Sequence, residues 1–403
     1  MMIATLIFLA TYLVIAAGRV PGWHIDRAGA ALLGAALMVA SGVLTLEQAY
    51  AAVDADTLVL LFGMMIVVAN LRLSGFFRLV NAFVVRRARH PLLLLLAVVL
   101  VSGLLSALLV NDTICLVMTP LVLEVVLALK RRPLPYLLAI AMAANIGSVA
   151  TITGNPQNMI IGTLSGLPYG AFAGALWPVA AVGLLLATVL IALAFPREFL
   201  VRGGLGAPAL RPPRVNVWLA GKSALVLVAM VAAFFLGVPP AEVAFVGGAY
   251  LLLTRRVKVA KIYLEIDWPL LVMFAGLFVV VGGLEHAVLT PARVAELGSL
   301  GLDRLPVLAL LTAALSNLVS NVPAVLLLKP FVAPLADPQA AWLGVAMAST
   351  LAGNFTLLGS VANLIVAQRA RSLGVSVGFW AYFAVGAPLT VLSIAAGVWL
   401  LGP

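Results

Sequence analysis

The chain has 403 residues, of which 64% are hydrophobic and only 9% charged, with a formal net charge of +10 and a mean hydropathy of +1.19. A soluble domain carries about 25% charged residues, so a water-soluble globule is excluded at the outset. The single cysteine, Cys115, excludes an internal disulfide and any multi-cysteine metal site. What remains is an all-α polytopic membrane protein, because apolar runs of about 20 residues, each long enough to cross a hydrocarbon core, recur from end to end.

The opening MMIATLIFLATYLVIAAGRV has no basic leader and no small-residue cleavage site, so it reads as a first span over 2–18 and not as a signal peptide. Spans follow at 28–43 and 57–70. The apolar block 91–129 is different: RRARH (86–90) precedes it and KRR (130–132) follows it. Basic flanks mark the cytoplasmic side, so the block must enter and return as a re-entrant helical hairpin, with VNDT (110–113) at its tip. A span broken at its middle is expected over 134–163 and another span over 170–195. REFLVRGGLGAPALRPPRVN (197–216), rich in Gly, Pro and Arg, reads as a cytoplasmic linker. Beyond it come spans at 217–236, 240–254 and 268–284, a second hairpin at 305–333, a second broken span at 340–366 and a last span at 377–401.

Threading the chain from the first hairpin puts all 24 Lys and Arg on the cytoplasmic side except Arg293, Arg304 and Lys329. The positive charge therefore records orientation and not nucleic-acid binding. Both termini come out extracytoplasmic. Lys329 falls inside a membrane segment, where it is expected either to pair with Asp112 or Glu124 or to snorkel to the outer surface. His24, His90 and His286 fall in loops, and Cys115 reads as packing.

The two sides of the linker resemble each other. DADTLVLLFGMMIVV (54–68) aligns with IDWPLLVMFAGLFVVV (266–280), setting Asp54 on Asp267 and Gly63 on Gly276. The hairpins align with Asn111 on Asn321 and Pro120 on Pro330. TITGNPQNMI (151–160) aligns with TLLGSVANLI (356–365), matching Thr151, Gly154 and Asn158 to Thr356, Gly359 and Asn363. The expected organisation is two inverted repeats, 1–196 and 217–403, each of five spans plus one hairpin. That arrangement is the sequence mark of a secondary transporter.

Chemistry is expected where the four interrupted elements meet. Gly147, Gly154 and Pro156 interrupt the first broken span, and Gly353 and Gly359 the second. Backbone groups freed there cannot stay bare in lipid and must face protein or a watery cavity. Asn111, Thr113, Thr151, Thr153, Asn155, Asn158, Ser320, Asn321, Asn354, Thr356, Ser360 and Asn363 are the candidate solute-binding residues. Helix N-termini suit an anionic or oxygen-rich solute, while carbonyls with Asn and Ser oxygens suit sodium, placed near Asn111, Asn155, Asn321 and Ser360.

The tips VNDT (110–113) and VSNVP (319–323), with the breaks NIGSVATITGNPQN (145–158) and GNFTLLGSVAN (353–363), resemble the ion transporter superfamily. That group includes the arsenite permeases, the NhaD-type sodium/proton antiporters and the divalent anion/sodium symporters, and the resemblance covers nearly the whole chain. It implies a scaffold region, a transport region that moves like an elevator, an inner-membrane location and a homodimer. Carboxylate symporters of this group carry Ser-Asn-Thr at both tips; here only Ser320-Asn321 keeps the Ser-Asn pair. The Asn111-Asp112 pair is closer to the arsenite permease and antiporter branches.

A carboxylate within the membrane costs a few kcal/mol on insertion scales and is a functional-site candidate by default. At Asp112 poor solvation would favour the neutral form and a bound cation the charged one, as proton coupling needs. The alternative role is a helix cap for the returning arm. An ionised Asp112 repels a dianion but not a neutral trihydroxy solute such as arsenous acid. The expectation is proton-coupled export of arsenite, antimonite or a similar small inorganic solute, with a sodium-coupled anion carrier or sodium/proton antiporter as the alternative. No HExxH, GxSxG or nucleotide-binding P-loop is present, so no enzyme and no cofactor are expected, and any ATP drive would need a separate subunit.

Overall fold

The computed structural model describes residues 1–17, 25–87, 89–200, 205, 215–255, 257–288 and 301–402, and every regular element among them is helical. Most of the 197–216 linker lies outside the described residues, as do Arg19, His24, Arg256 and Arg293. The first side holds α1 (Met2–Ala17), α2 (Arg27–Ala40), α3 (Leu46–Ala52), α4 (Ala55–Ser74) and α5 (Phe76–Arg87). It continues with α6 (Pro91–Leu108), α7 (Asn111–Ala128), α8 (Pro133–Ser148), a 3-10 turn (Ile152–Gly154), α9 (Pro156–Ser165), α10 (Tyr169–Ala194) and α11 (Pro196–Phe199). Beyond the linker come α12 (Val217–Phe235), α13 (Pro240–Leu252), α14 (Val259–Tyr263), α15 (Trp268–Ala287) and α16 (Leu305–Val319). The last four are α17 (Asn321–Val332), α18 (Pro338–Ala352), α19 (Val361–Ser372) and α20 (Phe379–Leu401).

Seven of the described helices are long and apolar enough to cross a membrane, and α6 with 18 residues reaches about 27 Å at 1.5 Å per residue. The short helices α3, α5, α11 and α14 have no counterpart in the apolar-run reading, because a helix this short or this mixed in polarity leaves no such run. Thr45 starts α3 with a capping box closed by Gln48.

The apolar block 91–129 is a helix pair, α6 and α7, parted at Leu109 and Val110. The block 305–333 is the pair α16 and α17, parted at Ser320. The span 134–163 divides after Ser148 and resumes at Pro156, whose ring is tolerated at a helix start where no N–H partner exists. The span 340–366 divides after Ala352 and resumes at Val361 without a proline.

The interior is built around α8, buried at every residue from Pro135 to Ser148, and around the end of α18, buried from Gly344 to Ala352. Leu185, Leu225, Trp380 and Trp399 are exposed on outer helices, as expected of surfaces that meet hydrocarbon and headgroups. Contacts cross between the two sides of the chain. A Cβ on Gly63 of α4 would strike the Ala244 carbonyl of α13, and one on Gly276 of α15 would lie 2.7 Å from the Ala31 carbonyl oxygen of α2. Only glycine lets either backbone pair come so close.

Three ion pairs tie described elements together: Arg72 with Glu265, Arg131 Nε with Glu198 Oε1 at 2.8 Å, and Lys329 Nζ with Glu285 Oε2 at 3.1 Å. The last corrects the expectation that Lys329 pairs with Asp112 or Glu124. α17 runs away from its tip, so by Lys329 it has carried the ammonium beside the far end of α15. Glu198 also accepts from Tyr136 Oη at 3.2 Å, anchoring the chain to α8 where the linker begins.

Candidate functional site

Each hairpin tip ends one helix and starts another, leaving first-turn N–H groups without intrahelical partners. Neither start has a side-chain cap: Val110 precedes α7 and Ser320 precedes α17. Asp112 therefore is not the cap of the returning arm. It lies in the first turn of α7, where its charge complements the helix dipole. The tips differ in backbone. Val110 is ordinary at φ −61° and ψ 125°, whereas Ser320 sits at φ 79° and ψ 160°, a region open mainly to glycine.

The tips and breaks converge on a cavity of about 50 Å³. Its polar walls come from Asn111 and Asp112 on α7, Gln157 on α9, Ser320 and Asn321 at the second tip, Ser360 before α19, and Arg27 at the start of α2. Ile15, Met273 and Phe274 are among its apolar lining. A second cavity of about 100 Å³ is lined by Asp112, Thr113, Arg72, Glu265 and Asp267. Asp112 belongs to both walls and makes no hydrogen bond or ion pair with the described residues. Asn111 Oδ1 and Asn321 Oδ1 are buried without a partner.

Behind this surface lies a network of amides and hydroxyls. Asn145 is its hub: its Oδ1 accepts from Asn111 Nδ2 at 3.1 Å and Ser360 Oγ at 3.2 Å, and its Nδ2 donates to Asn354 Oδ1 at 2.9 Å and Asn363 Oδ1 at 3.0 Å. On the other side of the chain Thr350 plays the matching part. Its Oγ1 accepts from Asn155 Nδ2 at 3.2 Å and Gln157 Nε2 at 3.2 Å and reaches Asn158 Oδ1 at 3.5 Å.

Several of these bonds come in pairs. Asn158 Nδ2 donates to the carbonyls of Ser148 and Thr151, ten and seven residues back. Asn363 Nδ2 donates to those of Gly353 and Thr356, again ten and seven back. The register that sets Asn158 on Asn363 also sets Asn145 on Thr350 and Asn155 on Ser360. In that register the bond Asn145 to Asn363 corresponds to Thr350 to Asn158, and Ser360 to Asn145 corresponds to Asn155 to Thr350.

Of the residues singled out in the sequence, Asn111, Asp112, Ser320, Asn321 and Ser360 meet at the first cavity, and Thr113 faces the second. The others hold the breaks in shape. Asn155 caps α9 through the Asn158 N–H at 2.8 Å. Thr151 donates to the Ala107 carbonyl, and Thr153 shares a 2.8 Å hydrogen bond with Tyr169 Oη. Asn354 donates to the Met142 carbonyl at 3.3 Å, and Thr356 contributes its carbonyl to Asn363. Sequence reasoning passed over Asn145, Gln157, Thr350, Arg27, Arg72, Glu265 and Asp267. Asn145 opens the quoted motif 145–158, and carrying the repeat register six residues back from Thr151 would have picked out both Asn145 and Thr350. Arg27, Arg72 and Glu265 read as ordinary span-end charges and carried no such signal. No group of His, Cys, Asp and Glu among the described residues could hold a metal ion.

Comparison with known proteins agrees with this architecture. A 46 kDa membrane protein of Mycobacterium leprae is 32% identical over 432 residues, covering 99% of this chain and 97% of that protein. A silicon efflux transporter of Oryza sativa subsp. japonica is 30% identical over 95% of this chain and 94% of its own length. A putative arsB transporter of Dictyostelium discoideum is 25% identical over 98% and 90%. The crystal structure of the Alcanivorax borkumensis YdaH transporter, of unusual topology, covers 99% of this chain and 98% of its own. Its TM-score is 0.63 at 18% identity, a likeness of fold alone. Residues 10–352 match the citrate transporter family, CitMHS, and the chain belongs to that family of membrane transporters.

Proposed function

We propose that this transporter is a proton-coupled secondary carrier that exports a small, uncharged, hydroxylated inorganic solute, arsenite or antimonite in the first instance. The solute would sit between the tips, against Asn111, Ser320, Asn321 and Ser360, and Asp112 would carry the coupling proton. One observation carries the reading: Asp112 is an unpartnered carboxylate in the wall between the tip cavity and a second, charged cavity. A group so placed can exchange a proton on one side and sense occupancy on the other.

Coupling by Asp112 also fits the choice of solute. While ionised it repels an anion from the tip cavity, and a neutral trihydroxy acid suffers no such penalty. The relative named a silicon efflux transporter points in the same chemical direction, since silicon is a metalloid. Paired bonds at matching repeat positions support two inverted repeats and an elevator-like movement of the tips and breaks against the rest. The first cavity adjoins Arg27 and the second Arg72, both of which the charge sorting puts at the cytoplasmic side, so the conformation is read as inward-facing. Inner-membrane location, extracytoplasmic termini and a homodimer belong to the same proposal. The alternative, a sodium-coupled carrier or sodium/proton antiporter, is favoured by the bare Asn111 and Asn321 oxygens, which would also suit sodium.

The test is arsenite accumulation in everted vesicles under an imposed pH gradient, with and without sodium, for the wild type and Asp112→Asn. Proton-driven, sodium-independent accumulation that the variant loses is the expected result. Accumulation that persists in the variant removes Asp112 from the coupling, and accumulation that requires sodium selects the alternative.

A further inference from the structure

The direction in which Asn111 faces the tip cavity is set far from the cavity itself. Asn363 Nδ2 donates to two backbone carbonyls, Gly353 at 2.7 Å and Thr356 at 3.1 Å, and carbonyls can only accept. Its Oδ1 must therefore be the acceptor for Asn145. A second anchor agrees: Asn354 Nδ2 donates to the Met142 carbonyl at 3.3 Å, so Asn354 Oδ1 also accepts from Asn145. With both acceptors on one side, Asn145 must turn Nδ2 to them and Oδ1 the other way. Ser360 Oγ, which accepts from the Ala362 N–H at 3.2 Å, spends its hydrogen on that same Oδ1. Asn111 can then join only as a donor, and its own Oδ1 is left buried and without a partner, on a residue that lines the cavity.

We infer that Asn145 is a positioning residue for specificity: locked by backbone carbonyls, it obliges Asn111 to present an acceptor, and never a donor, to the solute. The inference rests on the tip cavity being the solute site and deepens that reading. The second tip has no such lock. Asn321 makes no side-chain hydrogen bond to the described residues, and the residue matching Asn145 is Thr350, whose hydroxyl either gives or takes a hydrogen.

The chemical consequence concerns ionisation state. A solute that carries O–H groups satisfies Asn111 Oδ1, whereas a fully ionised oxyanion sets oxygen against oxygen and leaves a buried acceptor unpaired. The formal charges lining the cavity are Asp112 on α7 and Arg27 on α2, opposite in sign, and Asp267, Glu265 and Arg72 face Asp112 from the second cavity only. Amide polarity therefore adds a discrimination between a protonated and an ionised solute of similar size that does not depend on the charge of Asp112. One unpaired buried acceptor is enough for a preference of about tenfold or more.

The experiment measures binding to the purified full chain in detergent, with arsenous acid as the protonated probe and inorganic sulfate, which keeps no O–H at this pH, as the ionised one, at pH 7. Three proteins are compared. Wild type is expected to favour arsenous acid by about tenfold or more. Asn145→Gln keeps an amide that can give hydrogens to Asn354 and Asn363 and an acceptor to Asn111, and should hold that ratio to within about twofold, whereas Asn145→Thr frees Asn111 to turn and should shrink it to about threefold or less. An Asn145→Thr protein that binds both probes with the wild-type ratio overturns the inference, as does a wild type that prefers sulfate. Should neither variant fold, the wild-type order alone decides. Binding also separates this inference from the transport reading. Tight arsenous acid binding without proton-driven flux sinks the coupling and leaves the lock standing, while a failure to bind either probe overturns both.

Discussion

Asn158 and Asn363 occupy matching places and make matching bonds, yet their replacement by leucine should have unequal cost. In Asn158→Leu the Ser148 carbonyl keeps Asn155 Nδ2 at 3.2 Å, and the Thr151 carbonyl keeps the Gly154 N–H at 3.4 Å. Two long contacts are lost outright, one of 3.5 Å to the Val149 carbonyl and one of 3.5 Å from Thr350 Oγ1. In Asn363→Leu the Thr356 carbonyl keeps the Gly359 N–H at 3.1 Å, but the Gly353 carbonyl has no other donor among the described residues. Each net hydrogen bond is worth about 1 kcal/mol, and a buried carbonyl left bare costs a further 1–3 kcal/mol, roughly. Asn158→Leu should therefore cost about 1–2 kcal/mol and Asn363→Leu about 4 kcal/mol, a gap of about 2 kcal/mol or more. The chain supplies its own reporter, because its single thiol, Cys115, is fully buried and reacts with a thiol-selective dye only when the fold opens. Labelling in detergent against temperature should place Asn363→Leu clearly below Asn158→Leu, and both below wild type. Equal transitions, or the reverse order, would refute the assignment of the Gly353 carbonyl as the vulnerable group.

Three further outcomes are expected. Gly63→Val and Gly276→Val each drive a side chain into a facing backbone and should cost about 1–3 kcal/mol or more, whereas Gly174→Val, with nothing near its Cβ position, should leave the labelling transition unchanged. Ser320→Gly removes the penalty of φ 79° and should raise the transition by an amount equivalent to about 1–3 kcal/mol; a fall would mean that the Ser320 side chain contributes more than its backbone costs. The Lys329–Glu285 pair is partly exposed, with side chains 40% and 27% accessible, so a double-mutant cycle with Lys329→Met and Glu285→Gln should return a coupling below about 1 kcal/mol.

Much of the fold was legible in the residues alone, for a physical reason specific to membranes. Hydrocarbon demands long unbroken apolar runs, so each departure, VNDT at one tip, VSNVP at the other, Gly147 to Pro156 and Gly353 to Gly359 at the breaks, stands out against a uniform background. Basic residues on both flanks of 91–129 required a turn inside it, and the structure divides that block at Leu109 and Val110. Asp112 was conspicuous for the same reason, a charge where charge is costly.

What the residues could not disclose is which of the dozen polar candidates face solute and which hold the breaks together. Asn111 and Asn158 are the same residue type, both in interrupted segments and both buried, yet one leaves its oxygen without a partner and the other binds three carbonyls of its own break. Composition is blind to that difference, because an amide is satisfied or left bare according to what lies within about 3 Å of it, and those neighbours come from elements up to 218 residues away. The same holds for Arg72, Glu265 and Asp267, ordinary span-end charges until packing brings them around the cavity that Asp112 shares. The sequence by itself determined where the chain could cross, turn back and break; only the tertiary structure decided which hydrogen-bonding groups were left over, since that is a property of packed neighbours and not of any one segment.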